Sequence, residues 1–452
     1  MGIIFVALVI IWVVYMIIKK HYPQAILLIA GMALLLAACL MEVKPVLDAK
    51  QSSGSSLLDI VHTIKVLLSS RVAGLGLTIM SIAGFAKYME YIGASKSLFA
   101  VVASPLKKIR SPYILLVFGF YVSQFLVLFI PSHAGLGLLL MVTMYPIFIR
   151  AGVSKMSALG VIGCAQYMDV GPGSGNAILA ANTCKIDPAV FFVNHQLPIF
   201  LTTTIILGLV HYFTQKWWDK KEGFASQGIS EQPLKEDESR PPLIYSILPV
   251  IPMLFILGFS PIFKSPIKMD VVTAMFLSTF ISIAFEYCRT RDIRGTLTSL
   301  KHFYDGMGNS FATVVSLIVA GEVFAAGLLK IGAVDALISG SQQLGLGIHP
   351  LIILFCLIIA GCAFLMGSGN AAFFSFAALT PKIAEAMKID IITLLLPMQI
   401  MTSFGRVVSP ITAAIVAIAG IAEVSPVQVV KRTAIPMLAA AIINIAFIFI
   451  NS

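Results

Sequence analysis

The chain opens on IIFVALVIIWVVYMII (3–18) and, six residues later, AILLIAGMALLLAACLM (25–41). A helix needs about 20 mainly apolar residues to cross a bilayer, and hydrocarbon admits only segments that satisfy their own backbone hydrogen bonds. The rest of the chain has the same character: 58% of its 452 residues are hydrophobic, 12% are charged, and the mean hydropathy is +0.96. These values point to an all-α polytopic membrane protein. No secretory leader is expected, because the first run has neither a basic region before it nor a small-residue cleavage site after it.

The six cysteines (39, 164, 184, 288, 356 and 362) are scattered, mostly inside apolar segments, and show neither a CxxC pair nor zinc-ligand spacing. They are expected to be small buried residues, and neither a cofactor nor a certain metal site is predicted. The formal charge of +10 could suggest a nucleic-acid partner. In a membrane chain, however, Lys and Arg mark cytoplasmic loops and anionic headgroups, so the expected partner is the lipid bilayer and no nucleic acid.

Basic clusters fall at Lys19-Lys20, at Lys96 with Lys107, Lys108 and Arg110, at Arg150 with Lys155, and at Lys216, Lys220, Lys221, Lys235 and Arg240. Later ones are Arg289, Arg291, Arg294 and Lys301, and then Lys431-Arg432. With all of them cytoplasmic, spans near 3–18, 25–41 and 72–92 place the amino terminus outside. Segments 112–130 and 134–149 are then flanked on both sides by residues that belong inside, so they are predicted to form a re-entrant hairpin (112–150) turning at FIPSHAGLG (129–137). After the hydrophilic stretch 215–242, expected to be a cytoplasmic linker, spans near 243–263, 270–287 and 307–329 lead to a second hairpin (350–386) turning at LMGSGNAAF (365–373). Each half closes with an interrupted segment, 155–180 or 391–420, and a final helix. Segments 95–110 and 293–305 look amphipathic and are expected on the cytoplasmic surface.

The result is about ten crossings, two re-entrant hairpins and two broken helices. Five crossings per half put the halves 1–214 and 243–452 in the membrane in opposite senses, the inverted-repeat plan of secondary transporters. Both termini then lie in the periplasm of a bacterial inner-membrane protein. Sequence traces agree on an offset: YIGA (91–94) matches KIGA (330–333) at 239, Pro146 matches Pro381 at 235, and VGPGSGNAILAA (170–181) aligns with VSPITAAIVAIA (408–419) at 238. The two Gly-Ser-Gly-Asn copies, 173–176 and 367–370, differ by 194 and are therefore not repeat partners.

Clusters of Gly, Pro and Ser inside apolar segments make physical sense where they line a cavity. Four occur, at 131–135, 171–176, 367–370 and 409–412, each followed by a helix-compatible apolar run. Helix amino termini would then converge on one midplane site, where free N–H groups and the positive dipole end favour an anion. Amides of Gly135, Gly175 and Gly369, hydroxyls of Ser132, Ser174, Ser368, Ser409 and Thr412, and side-chain amides of Asn176 and Asn370 are the predicted substrate-binding groups. Carbonyls freed at the same breaks, paired as 131–135 with 171–176 and 367–370 with 409–412, could hold sodium. The competing explanation is that the small residues only let helices pack closely.

Arg406 stands just before the last break, where a charge is costly and functional by default. Its guanidinium suits bidentate binding of a carboxylate; an internal ion pair with Asp169, at nearly the symmetry-equivalent position, is the alternative. His133 at the first tip is a candidate proton-coupling group or one more polar tip residue, and Asp169 is a second candidate for ion coupling, with Na+ or H+ as the ion. Lys87 and Glu90 are spaced to pair at i,i+3.

HTIKVLLSSR (62–71), GLGLLLM (135–141), GSGNAAFFSF (367–376), GRVVSPITAAIVAIAG (405–420) and SPVQVVKRTAIPM (425–437) together make the chain resemble, over nearly its whole length, the DcuC-type anaerobic C4-dicarboxylate carriers. That family sits in the ion-transporter superfamily with the divalent-anion/sodium symporters. The resemblance implies transport of succinate, fumarate or malate by symport or exchange, an elevator movement of hairpins and broken helices against a scaffold, and a homodimer by analogy. PSHAGLG at the first tip and YMDVGPGSGN at the first break depart from the family's pattern by adding His133 and Asp169. An added acid would also suit aspartate, and citrate stays open. Among other classes, an anion channel is the nearest rival. An intramembrane serine protease lacks a placed base, and a nucleotide-driven pump lacks a phosphate loop.

Overall fold

In the computed structural model of the protein, residues 2–41, 45–48, 50–224, 241–343 and 347–451 are described. Among them the regular structure is helical. In chain order the helices are α1 (Gly2–Ile18), α2 (Pro23–Leu40), α3 (Ser56–Tyr91), α4 (Ala94–Val102), α5 (Pro112–Val127), α6 (His133–Thr143), α7 (Tyr145–Arg150), α8 (Lys155–Gly163), α9 (Gly175–Cys184) and α10 (Pro188–Lys221). They continue as α11 (Ile251–Gly258), α12 (Val271–Thr290), α13 (Ile293–Lys330), α14 (Ala333–Gln343), α15 (Ile348–Met366), α16 (Asn370–Ala377), α17 (Thr380–Met387), α18 (Ile391–Val407), α19 (Ala413–Ile421) and α20 (Pro426–Asn451).

Among the described residues, eight helical segments are long and apolar enough to cross a membrane by length and composition, and four shorter apolar helices accompany them. The chain is a multi-pass membrane protein. Two of the eight, His133–Arg150 and Ile348–Met366, are arms of the predicted hairpins. The predicted turns are where the chain leaves helical geometry: α5 and α6 flank 128–132, and α15 and α16 flank 367–369.

Several boundaries move. The span predicted at 72–92 starts at Ser56, and the one at 307–329 starts at Ile293, so segment 293–305 leads directly into a long helix, with Arg294, Thr298 and Lys301 exposed on one side of it. Its Phe303 carbonyl lies so close to Gly84 of α3 that a Cβ there would sit 2.7 Å from the oxygen. Polar residues on one side of this stretch gave it an amphipathic look, while the other side is a helix contact. The linker predicted at 215–242 also starts later. α10 runs to Lys221 with Gln215 and Asp219 fully buried, and residues 225–240 lie outside the described residues.

The helix contacts fall into two bundles joined where α16 packs on α13. In the first, α2 packs along the second half of α13 and α3 along its first half, and an Arg71–Glu322 ion pair of 2.8 Å ties α3 to α13. Single π-helical turns interrupt α3 at Val72–Gly76 and α13 at Phe311–Val315, again 239 residues apart. In the second, α5 and α20 pack on α10, α15 on α18, and α6 on α19. Gly405 permits the α15–α18 crossing, since a Cβ would lie 2.4 Å from the Ala360 carbonyl oxygen. The cysteines form no disulfide; Cys164 and Cys356 are buried and Cys288 is exposed.

Candidate functional site

Each of the four predicted breaks ends at a helix start: α6 at His133, α9 at Gly175, α16 at Asn370 and α19 at Ala413. Ser132 caps α6 by accepting from the Gly135 amide at 3.1 Å, and Ser174 caps α9 by accepting from the Ala177 amide at 3.4 Å. Each satisfies one of the amides that a helix start leaves without a partner. Thr412 behaves differently. Its hydroxyl donates to the Arg406 carbonyl at 2.6 Å and lies 3.2 Å from the Gly367 carbonyl, so it joins the second hairpin tip to the second break. Gly367 ends α15 at φ +71°, a left-handed conformation that glycine adopts without strain.

The first break is wider than its Gly-Pro-Gly core implies: the chain is non-helical from Cys164 to Ser174. Distant side chains satisfy this stretch. The Gly171 amide donates to Gln196 Oε1 at 2.9 Å, Gln196 Nε2 donates to Gln399 Oε1 at 2.9 Å, and Gln399 donates to the Asp169 carbonyl.

Asp169 stands in this unwound segment. Its carboxylate accepts from Arg406 Nη2 at 2.9 Å and from Asn176 Nδ2 at 2.8 Å. Arg406 also donates to Ser403 Oγ at 3.2 Å, while its Nε is buried without a partner. Asn176 Nδ2 lies 3.2 Å from Asn370 Oδ1 and 3.5 Å from Thr402 Oγ1. The two Gly-Ser-Gly-Asn copies therefore meet at their asparagines, beside the ion pair.

A cavity of about 850 Å³ opens onto this constellation. Ser132, Gly135, Asp169, Ser174, Gly175, Asn176, Asn370 and Arg406 line it on one side; residues of α3 and α13 face them, including Lys87, Glu90, Asp305 and Asn309. His133, Ser368, Gly369, Ser409 and Thr412 are absent from the lining. Ser409 is fully buried with an unpartnered hydroxyl, and Nδ1 of His133 is buried without a partner. A Cβ on Gly369 would lie 2.8 Å from Thr402 Cα, so this glycine serves the contact between hairpin and broken helix. Lys87 and Glu90 pair at 3.0 Å as expected, but on the cavity wall.

Sequence reasoning missed Gln196, Gln399, Thr402 and Ser403. A signal for three of them was present: Gln399, Thr402, Ser403 and Arg406 fall at i, i+3, i+4 and i+7, a polar stripe along one face of an otherwise apolar helix.

Chemically, the site offers a guanidinium already holding a carboxylate, two carboxamides and several helix starts around one cavity. Such a set recognises carboxylate groups by charge-assisted hydrogen bonds. The chain matches the family model described as C4-dicarboxylate anaerobic carrier (DcuC) over residues 1–452. It is 35% identical over 425 residues to the probable anaerobic C4-dicarboxylate transporter DcuC of Vibrio cholerae, covering 94% of this chain and 92% of that protein. It is 33% identical over 437 residues to the anaerobic C4-dicarboxylate transporter DcuC of Escherichia coli K12, covering 97% and 94%. Among solved structures it is similar to the YdaH transporter of Alcanivorax borkumensis, with a TM-score of 0.66 at 14% identity over 95% of this chain and 98% of that one. It is also similar to MtrF of Neisseria gonorrhoeae, with a TM-score of 0.59 at 13% identity over 95% and 96%. At such low identity these two likenesses concern the fold alone.

Proposed function

This chain belongs to the C4-dicarboxylate anaerobic carrier family, and we propose that its substrate site is the cavity in front of Arg406 and Asp169. The protein is a membrane carrier of C4-dicarboxylates and not an enzyme. Succinate, fumarate and malate are the substrates proposed within that class. The observation that carries the site is the buried Arg406–Asp169 pair, 2.9 Å apart in the wall of the cavity, with Asn176 and Asn370 beside it.

One carboxylate of the substrate competes with Asp169 for the Arg406 guanidinium, whose Nη2 now serves both Asp169 and Ser403. The second carboxylate is taken by side-chain amides and helix-start N–H groups. Displacing Asp169 leaves a carboxylate in a low-dielectric place, where its charge must be neutralised. A proton or a sodium ion arriving at Asp169 does so, which couples ion and substrate. The two bundles support an elevator movement, with hairpins and broken helices travelling against α2, α3, α12 and α13 in an inverted-repeat plan. The offset of 239 between the π-helical turns of α3 and α13 favours that plan. A homodimer in a bacterial inner membrane, with both termini in the periplasm, completes the proposal.

Proteoliposomes loaded with unlabelled succinate test carrier against channel. The proposal expects saturable uptake of external labelled succinate with counterflow; a conductance showing neither would remove it.

A further inference from the structure

Arg432 is 1% exposed, although its place in the pair Lys431-Arg432 suggests a surface charge. Its Nη1 donates to Asp219 Oδ1 at 2.8 Å, to Ser157 Oγ at 3.1 Å and to Gln215 Oε1 at 3.3 Å, and its Nη2 to Glu222. The Asp219 carboxylate also accepts from Ser154 Oγ at 2.7 Å, Ser157 Oγ at 2.8 Å and Tyr113 Oη at 3.2 Å. Helices α5, α8, α10 and α20 thus meet at one buried charge pair that takes no part in lining the cavity. Desolvating two charges returns little or no net stability, so the cluster calls for a reason in geometry.

That reason lies one residue further along α20. The Thr433 hydroxyl shares its proton between the Val430 carbonyl of its own helix at 3.2 Å and the Val407 carbonyl at 3.1 Å, the latter immediately after Arg406 at the end of α18. On the opposite side, α8 has no side chain at Gly160 and Gly163; Cβ atoms there would lie 2.9 Å from Arg432 Cβ and 3.0 Å from Thr433 Cγ2. Six residues after Gly163 comes Asp169. Residues 432 and 433 therefore lie between α8 and α18, the helices that lead to Asp169 and carry Arg406.

We propose that Arg432, through its pair with Asp219, and Thr433 are positioning residues for substrate recognition: they hold α8 and α18 at the register where Asp169 meets Arg406. The inference rests on the assignment of Arg406 to the substrate carboxylate. One residue of helix rises about 1.5 Å, so a slip of α20 by one position would take Thr433 away from the Val407 carbonyl. An error of about 1 Å in a recognition site can cost far more than one hydrogen bond.

The test compares Thr433→Val, the double variant Arg432→Met/Asp219→Leu, and Arg406→Lys in proteoliposomes. Initial rates of labelled succinate uptake separate KM from turnover, and unfolding temperatures are taken in detergent with and without succinate. Thr433→Val keeps its shape and is expected to raise KM about fivefold, the equivalent of one lost hydrogen bond. Turnover and the unfolding temperature without succinate stay near wild type, and the succinate-induced shift shrinks. The double variant removes both charges together, so it is expected to fold, with KM raised roughly tenfold. Wild-type KM in both, beside a raised KM in Arg406→Lys, would overturn the positioning role alone, as would a lowered unfolding temperature with KM unchanged. Wild-type KM in Arg406→Lys would overturn the site assignment and the inference with it. Should the double variant fail to fold, Thr433→Val decides.

Discussion

Asn176 and Asn370, each the last residue of a Gly-Ser-Gly-Asn tetrapeptide and 194 residues apart, touch: Asn176 Nδ2 lies 3.2 Å from Asn370 Oδ1. One lies in the first turn of α9 and the other starts α16, so the contact joins two helix starts far apart in sequence at the wall of the cavity. Both deliver a carboxamide to the same place.

Replacing Asn176 by Asp sets a second carboxylate against that of Asp169, 2.8 Å from the present amide. Like charges so close oppose one another and oppose an incoming dianion. Succinate KM is expected to rise at least about tenfold, whereas Asn370→Ala, which removes one polar group, raises it about threefold to tenfold. Uptake kinetics of the two variants rank the effects, and a KM in Asn176→Asp at or below wild type would count against a carboxylate site.

Asp169→Asn keeps the shape of the site and removes the charge that the coupling ion neutralises. Accumulation driven by a sodium or proton gradient is expected to be lost, while succinate–succinate exchange persists. Uptake measured with imposed gradients and by counterflow distinguishes the two activities; undiminished accumulation would assign coupling elsewhere.

Gly405→Ala should destabilise, although alanine is the better helix former by about 1 kcal/mol. The added Cβ would meet the Ala360 carbonyl oxygen at 2.4 Å and Ala363 Cβ at 2.6 Å, and helix backbone cannot yield as a side chain tip can. A loss of about 1–3 kcal/mol is expected for such overpacking, seen as a lower unfolding temperature in detergent together with reduced uptake.

The fold was legible where the bilayer sets the terms. Apolar length marked the helices, and Pro131, Gly171, Gly367 and Pro410 marked the places where they break. The family resemblance carried by GSGNAAFFSF and GRVVSPITAAIVAIAG pointed to the same family as the full-length match. Legibility ended where partners lie far apart in sequence. The unwound stretch around Asp169 is wider than its glycines suggest because Gln196 and Gln399, on two other helices, supply the hydrogen bonds that its backbone needs. Arg432 reads as a loop charge because Asp219, the residue that permits its burial, lies 213 positions away. Local composition predicts where a helix can end; it does not predict which distant side chain will satisfy the freed groups.

Arg406 is the centre of the proposed substrate site. Its most direct test is the KM for labelled succinate of Arg406→Ala, reconstituted beside wild type, with the succinate-induced shift in unfolding temperature taken on the same preparations. Removing the cation that faces the substrate carboxylate is expected to abolish saturable uptake and the thermal shift together, while the unliganded protein still folds. A variant that folds, binds succinate with wild-type affinity and transports it would contradict the site.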